Sequence, residues 1–121
     1  MKVAVVDDDE SFGRAIGRLL RASKLEPSVY TSAEDFLEDD ARLATDCLVL
    51  DINLGGMSGL DLQRRLAAQG STTPIIFVTA DDTPTYRTEA QQLGCAAYLR
   101  KPVPGSLLLG AIARVLGKKN S

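Results

Sequence analysis

Asp51 follows directly on the apolar run Cys47-Leu48-Val49-Leu50, and the glycine-rich turn Gly55-Gly56-Met57-Ser58-Gly59 comes soon after it. A second acidic group, Asp7-Asp8-Asp9-Glu10, ends another apolar stretch. Thr79 closes a third, and Lys101 follows a fourth. Three carboxylates (Asp7, Asp8 and Asp51) drawn into one small cleft would repel one another strongly. A hard divalent cation relieves that repulsion. Mg²⁺ suits such a site, taking a few carboxylate oxygens together with waters and phosphate, and Mn²⁺ is its natural substitute. With a metal in place, a remaining carboxylate can attack a phosphoryl group. The Lys101 ammonium and the Thr79 hydroxyl would then hold the oxygens of the transferred group.

The apolar runs dictate the scaffold that could bring these residues together. Residues 2–6 read as a first strand. From 11 to 22 the period turns helical, with Phe12, Ile16, Leu19 and Leu20 on one face and Arg14, Arg18 and Arg21 on the other. Pro27 precedes a brief second strand at 28–30. A second helix starts at a Thr31 or Ser32 cap and carries Phe36, Leu37 and Leu43 inward. Residues 46–51 have the continuous apolar character of a strand buried on both faces of a parallel sheet. A third helix covers 58–69, with Leu60, Leu62 and Leu66 apolar and Gly70 at its C-cap. A fourth strand at 74–79 leads through a polar turn to a weaker helix ending near Leu93-Gly94, and a fifth strand follows at 95–99. The last helix, 106–116, has Leu108, Ile112, Val115 and Leu116 on one face and Leu107 with Arg114 on the other. A polar tail, Lys118-Lys119-Asn120-Ser121, follows it.

Five strands alternating with five helices predict an α/β domain: a flavodoxin-like, doubly wound, five-stranded parallel sheet of order 2-1-3-4-5. Its switch point lies between strands one and three, which places Asp7 and Asp8 beside Asp51.

Composition narrows the chemistry further. The 121 residues, 45% hydrophobic and 25% charged, suit one ordinary soluble domain. Net charge is −2 and the basic residues are scattered, which argues against direct nucleic-acid binding. No apolar run approaches the ~20 residues of a membrane span. A strand starting almost at Met1 leaves no room for a signal peptide, so a cytoplasmic location is expected. The absence of histidine excludes Ser-His-Asp and Cys-His catalysis, argues against zinc, and means that this chain cannot itself offer a phosphohistidine. Cys47 and Cys95 lack metal-ligand spacing and read as buried free thiols.

Val5-Val6-Asp7-Asp8, Asp51 with Met57-Ser58-Gly59, Thr79-Ala80, and Tyr98 followed by Lys101-Pro102 together resemble a bacterial response-regulator receiver domain. The resemblance covers essentially the whole chain, so residues 1–121 are expected to form a single receiver domain. It implies phosphorelay signalling, not turnover of a separate substrate. Asp51 would accept a phosphoryl group from a sensor histidine kinase or phosphotransfer protein. Asp7, Asp8, Asp51 and the backbone carbonyl of Asn53 would hold Mg²⁺. Thr79 and Lys101 would bind the phosphoryl group, and Tyr98 would be an aromatic switch turning inward with Thr79. The surface of the fourth helix, fifth strand and fifth helix would serve partners, including a homodimer, and Leu107 would sit exposed there. Kinase specificity would lie on exposed residues such as Phe12, Gly13 and Arg14.

Departures from that family's pattern are local. Gly55 stands where a proline is usual, which implies a more mobile loop, and Pro104 would reshape the start of the last helix. Asn53 and Asp81 occupy positions where the family varies phosphoryl lifetime. Polar Asn53 and acidic Asp81 are expected to place an attacking water and keep phospho-Asp51 short-lived. Residues 58–66 look like those of receivers joined to LuxR-type helix-turn-helix outputs, so the chain is either free-standing or the front half of a transcription regulator.

Rival readings use the same residues differently. In a haloacid-dehalogenase-type phosphohydrolase, Asp7 would be the nucleophile and Asp9 the acid–base partner, with Asp81-Asp82 as poor further ligands. That reading leaves Asp51 without a role. FMN binding is opposed by the aspartates after the first strand. A receiver that binds partners without phosphorylation is opposed by the presence of every chemical residue.

Overall fold

Side-chain alternation along three central strands builds two separate cores. In the computed structural model, which describes residues 1–81 and 83–119 (118 and 119 by their backbone alone), β1 (Lys2–Val6), β3 (Cys47–Leu50) and β4 (Ile75–Thr79) are buried throughout apart from Lys2. The tail expected at 118–121 lies outside the residues described in full. β2 (Glu26–Tyr30) and β5 (Ala97–Arg100) flank these strands, giving a parallel sheet of order β2-β1-β3-β4-β5, as predicted. Register fixes which side chains share a face: Val5 lies beside Val49, and Val49 beside Ile76.

Because successive strand residues point to opposite faces, Val3, Val5, Cys47, Val49, Ile76 and Val78 form one apolar layer. α1 (Glu10–Ala22) covers it with Ile16 and Leu20, and α5 (Gly105–Lys119) with Leu108, Ile112 and Leu116. Ala4, Val6, Leu48, Leu50 and Phe77 form the other layer. It lies under Phe36 of α2 (Ala33–Glu38), Leu60, Leu62 and Leu66 of α3 (Gly59–Ala68), and Ala90 of α4 (Pro84–Gln92). Both layers exclude water along the strands and leave their carboxyl ends open, where ligands gather in such folds.

Local capping fixes where the helices begin. Asp9 accepts the Phe12 N–H at 3.2 Å, so α1 starts at Glu10, one residue before the predicted start. Ser32 accepts the Asp35 N–H at 3.0 Å, and Ser58 forms a reciprocal capping box with Asp61. Gly70 and Gly94 follow α3 and α4 with φ of 77° and 86°, the left-handed conformation that ends a helix.

Several expectations are corrected. The second helix stops at Glu38 and a 3-10 segment, Asp40–Ala44, follows, so Leu43 is 80% exposed and not inward. Asp39 causes the break: its carboxylate accepts the Ala41 N–H at 2.9 Å and the Tyr30 hydroxyl at 2.7 Å. Burial and this bond push the Tyr30 pKa up to about 12. β2 begins at Glu26, before Pro27, which an edge strand tolerates. β5 begins at Ala97, so Cys95 precedes it and is half-buried; Cys47 is buried, and neither cysteine forms a disulfide. Gly13 is buried against Val29, not exposed for a kinase, and Phe12 is half-buried; Arg14 is exposed as expected.

The tightest constraint in the fold is at Gly59. A Cβ built there would lie 2.0 Å from the Asp51 carbonyl oxygen, while the Gly59 N–H donates to the Ile52 carbonyl at 2.8 Å. At Gly13 a Cβ would instead meet Val29 Cγ1 at 2.8 Å, the end of a side chain that is 41% exposed and can turn away. Gly59→Ala should therefore cost about 1–3 kcal/mol or more, because backbone must move. Gly13→Ala should stay within about 1 kcal/mol, helped by alanine's helix propensity. Urea unfolding of the two variants checks the contrast, and equal losses would contradict it.

Candidate functional site: an acidic cleft at the switch point

The β1 and β3 ends bring Asp7 and Asp51 side by side, because the register sets Val6 against Leu50 and the Asp51 N–H donates to the Val6 carbonyl at 3.0 Å. Both aspartates are buried, at 2% and 7% exposure, while Asp8 is exposed. Carboxylate oxygens of Asp7, Asp8 and Asp51 lie within 4.8 Å of one another, a grouping able to hold a metal ion. These are the three carboxylates that the expected strand order places side by side, and they meet.

Lys101 completes the cluster. Its Nζ donates to Asp7 Oδ2 at 2.7 Å and to Asp51 Oδ2 at 3.2 Å. The backbone aims the chain there, since the Lys101 N–H donates to the Thr79 carbonyl at 2.9 Å. The other oxygens are held by main chain: Asp7 Oδ1 accepts the Asp9 N–H at 2.9 Å, and Asp51 Oδ1 accepts the Ile52 N–H at 2.7 Å. Lys101 Nζ also sits 4.3 Å from the centre of the Phe12 ring, a cation–π contact. Phe12 as a wall of the site was not expected: the sequence offers it as part of an apolar helix face or as a kinase-facing residue, and nothing in its spacing points to Lys101.

These contacts set the ionisation. Burial raises the Asp7 pKa above the ordinary carboxylate value, outweighing the Lys101 and Asp9 hydrogen bonds that favour its charge. Burial pulls Lys101 down, but the bond to Asp7 and the charges of Asp51 and Asp7 carry it above the usual lysine value. The ammonium stays charged between two buried carboxylates.

Thr79 is buried, and its Oγ1 accepts the Asp81 N–H at 3.1 Å. Asn53 Nδ2 donates to Asp81 Oδ2 at 3.0 Å, so these two residues meet across the cleft mouth. Asp81 Oδ1 takes the Thr83 N–H at 3.0 Å and the Thr83 hydroxyl as well. Tyr98 is half-buried, its ring 5.8 Å from that of Phe77 and 5.1 Å from the Arg87 guanidinium. It pairs in register with Phe77, and Thr79 pairs with Arg100. Asp9, needed as an acid–base group by the phosphohydrolase reading, spends its carboxylate capping α1, and Asp82 lies outside the described residues.

The fold and the cleft define a doubly wound α/β domain with an acidic, lysine-bridged site at its switch point. The sequence matches the response regulator receiver domain family over residues 3–113, and the chain belongs to that family, whose members act in two-component signalling. It is 38% identical over 114 residues to the response regulator protein TmoT of Ectopseudomonas mendocina, covering 94% of this chain and 52% of that protein. It is 33% identical over 118 residues to the transcriptional regulatory protein FixJ of Azorhizobium caulinodans, covering 98% and 56%. The crystal structure of a response regulator receiver protein from Burkholderia phymatum superposes with a TM-score of 0.81 at 44% identity, covering 96% and 94%. The chain thus spans about half the length of the curated relatives named here. Among the described residues, no helix is long and apolar enough to cross a membrane.

The raised Asp7 pKa has a consequence for stability in metal-free buffer. A raised folded-state value means that the native state binds this proton more tightly than the unfolded chain. Asp7 therefore costs nothing near or below the unfolded value of 3.8, and its penalty grows as pH rises through the folded value. In EDTA, the stability of Asp7→Asn relative to wild type should increase from about pH 4 upward. Denaturant titrations at several pH values read this difference; a flat or falling one would contradict it.

Proposed function

We propose that residues 1–121 act as a single receiver domain in which Asp51 accepts a phosphoryl group from the phosphohistidine of a sensor histidine kinase or phosphotransfer protein. The observation that carries this reading is the Lys101 bridge to Asp7 and Asp51 beside the third carboxylate, Asp8. Asp51 is the nucleophile in this reading: its carboxylate forms the new O–P bond while the N–P bond to the donor imidazole breaks. Asp7, Asp8, Asp51 and the Asn53 carbonyl suit Mg²⁺, or Mn²⁺, because all are oxygen donors for a hard cation. When bound, the metal supplies neutralisation of charge on the transferring group.

The chain's own residues supply the rest. Lys101 moves its hydrogen bond from the Asp51 carboxylate to the phosphoryl oxygens while keeping Asp7 as counter-ion. The Thr79 hydroxyl, which accepts from Asp81, keeps its own proton to donate to the same group. Tyr98 then turns inward with Thr79, and the α4, β5 and α5 surface changes for its partner. Leu107, 50% exposed on α5, belongs to that surface, which serves either a homodimer or an output domain. A transcriptional output is the reading that the name of FixJ supports. The catalysis is confined to the domain's own phosphorylation and dephosphorylation.

Asn53 and Asp81 are the residues of this site suited to ordering water, and we assign them to hydrolysis of phospho-Asp51. Replacing Asp81 by alanine should slow loss of the phosphoryl group about tenfold, less than a full general base supplies, because the residue only places the water. An unchanged rate would remove Asp81 from the mechanism. The reading as a whole is tested by rapidly sampled intact mass after incubation with Mg²⁺ and acetyl phosphate. A phosphoryl adduct should form in wild type only with the metal and be absent from Asp51→Asn. An adduct that survives Asp51→Asn but not Asp7→Asn would favour the phosphohydrolase, and none at all would favour a phosphorylation-independent module.

A further inference from the structure

The loop that leaves Asp51 is fixed at both roots and open at its tip. Ile52 and Leu54 are buried, and Gly59 is pinned to the Ile52 carbonyl. Gly55 and Gly56 are exposed, and a side chain at Gly55 would meet nothing within 4 Å. Glycines carry the largest conformational entropy of any residue, so this stretch does not hold its own shape. Ile52 and Leu54 anchor the limb that carries Asn53, so what must be held from outside is the stretch from Gly55 to Met57 that closes the loop against it.

Glu34 is placed to do so. It lies in the first turn of α2, where the Ser32 cap and the burial of Ala33 and Phe36 fix the backbone. Its Oε2 accepts the Met57 N–H at 3.2 Å, a bond from a charged acceptor to main chain. The carboxylate reaches Met57 by lying across Gly56, where a built Cβ would come within 2.3 Å of the same Oε2. Bond and bare glycine are thus one arrangement: any side chain at 56 must push Glu34 off Met57.

We propose that Glu34 is a positioning residue for the acceptor loop, its carboxylate clamping the Met57 N–H across Gly56 and so setting the place of the Asn53 carbonyl and the affinity for Mg²⁺. The last step rests on the metal reading above; the clamp itself does not. Glu34 touches neither metal nor phosphoryl group and acts through the loop.

Two measurements on the same variants separate the claims. In metal-free buffer, amide hydrogen exchange at Met57 should be slow in wild type and Glu34→Gln, and about tenfold faster in Glu34→Ala and Gly56→Ala, the scale of one lost hydrogen bond. Equal exchange in all four would overturn the clamp whatever the metal does. In calorimetric titrations with Mg²⁺, Glu34→Ala and Gly56→Ala should bind about three- to tenfold more weakly, while Glu34→Gln, which keeps the acceptor and loses the charge, stays within about twofold of wild type. Glu34→Gln falling as far as Glu34→Ala would mean that long-range charge acts instead, and would overturn the positioning role. Wild type showing Met57 protection but no Mg²⁺ binding would overturn the metal reading and, with it, the stated consequence of the clamp.

Discussion

The arrangement depends on placing two carboxylates where little water reaches them. Asp7 and Asp51 sit at the ends of strands buried on both faces, and the bridge from Lys101 makes that burial tolerable. Burying one charge without a partner costs several kcal/mol. A single ammonium between two carboxylates still leaves a net negative cluster, and Asp8 adds to it at the rim. The protein therefore holds a site in electrostatic deficit, one that a further cation would relieve. That deficit is a cost to the fold, and no packing argument explains why three aspartates should stand there.

The rest of the structure holds this cluster in place through main chain. Strand register sets β1 against β3, so the distance between the two carboxylates is inherited from the sheet and not from flexible side chains. α3 starts on the Asp51 backbone, with no atom to spare at Gly59. Lys101 is aimed by its own N–H on the Thr79 carbonyl. Each constraint is local and stiff, so loosening any one of them would misplace the groups that must meet within hydrogen-bond distance.

Much of this was legible in the sequence because it rests on strong periodic signals. Three continuous apolar runs gave the central strands, their alternation with helical periods gave the topology, and the topology gave the meeting of Asp7, Asp8 and Asp51. Boundaries were less legible where a side chain chose between two local bonds. Asp39 ends α2 early by accepting from Ala41 and Tyr30, and that choice turned Leu43 from a core residue into an exposed one. Gly13 is buried although expected to be exposed, because a glycine on an α1 face carries no sign of the edge strand that covers it. Phe12 was legible as a core or kinase-facing residue but not as a wall of the site, and Glu34 was not legible at all. Phe12 meets Lys101, and Glu34 meets Met57, only through contacts that the fold makes.

The cleft and α4 share a residue, and that sharing limits how independently they can move. Thr83 occupies the N-cap position of α4 but makes no capping bond; its side chain is turned instead to Asp81, to which its hydroxyl donates. α4 is thus left without the side-chain cap that Asp9, Ser32 and Ser58 provide to α1, α2 and α3. Among its described residues only Ala90 is buried, and it is held to α3 by polar contacts, Gln63 to the Ala90 carbonyl at 3.1 Å and Arg64 to Glu89 at 2.9 Å. Such contacts are worth less than buried apolar area and are more readily exchanged. Asp81 meanwhile bonds Asn53 on the acceptor loop. A rearrangement that takes Asp81 from Thr83 would let that side chain turn to cap α4, so a helix with a single buried residue among those described is tied through one carboxylate to the loop beside Asp51.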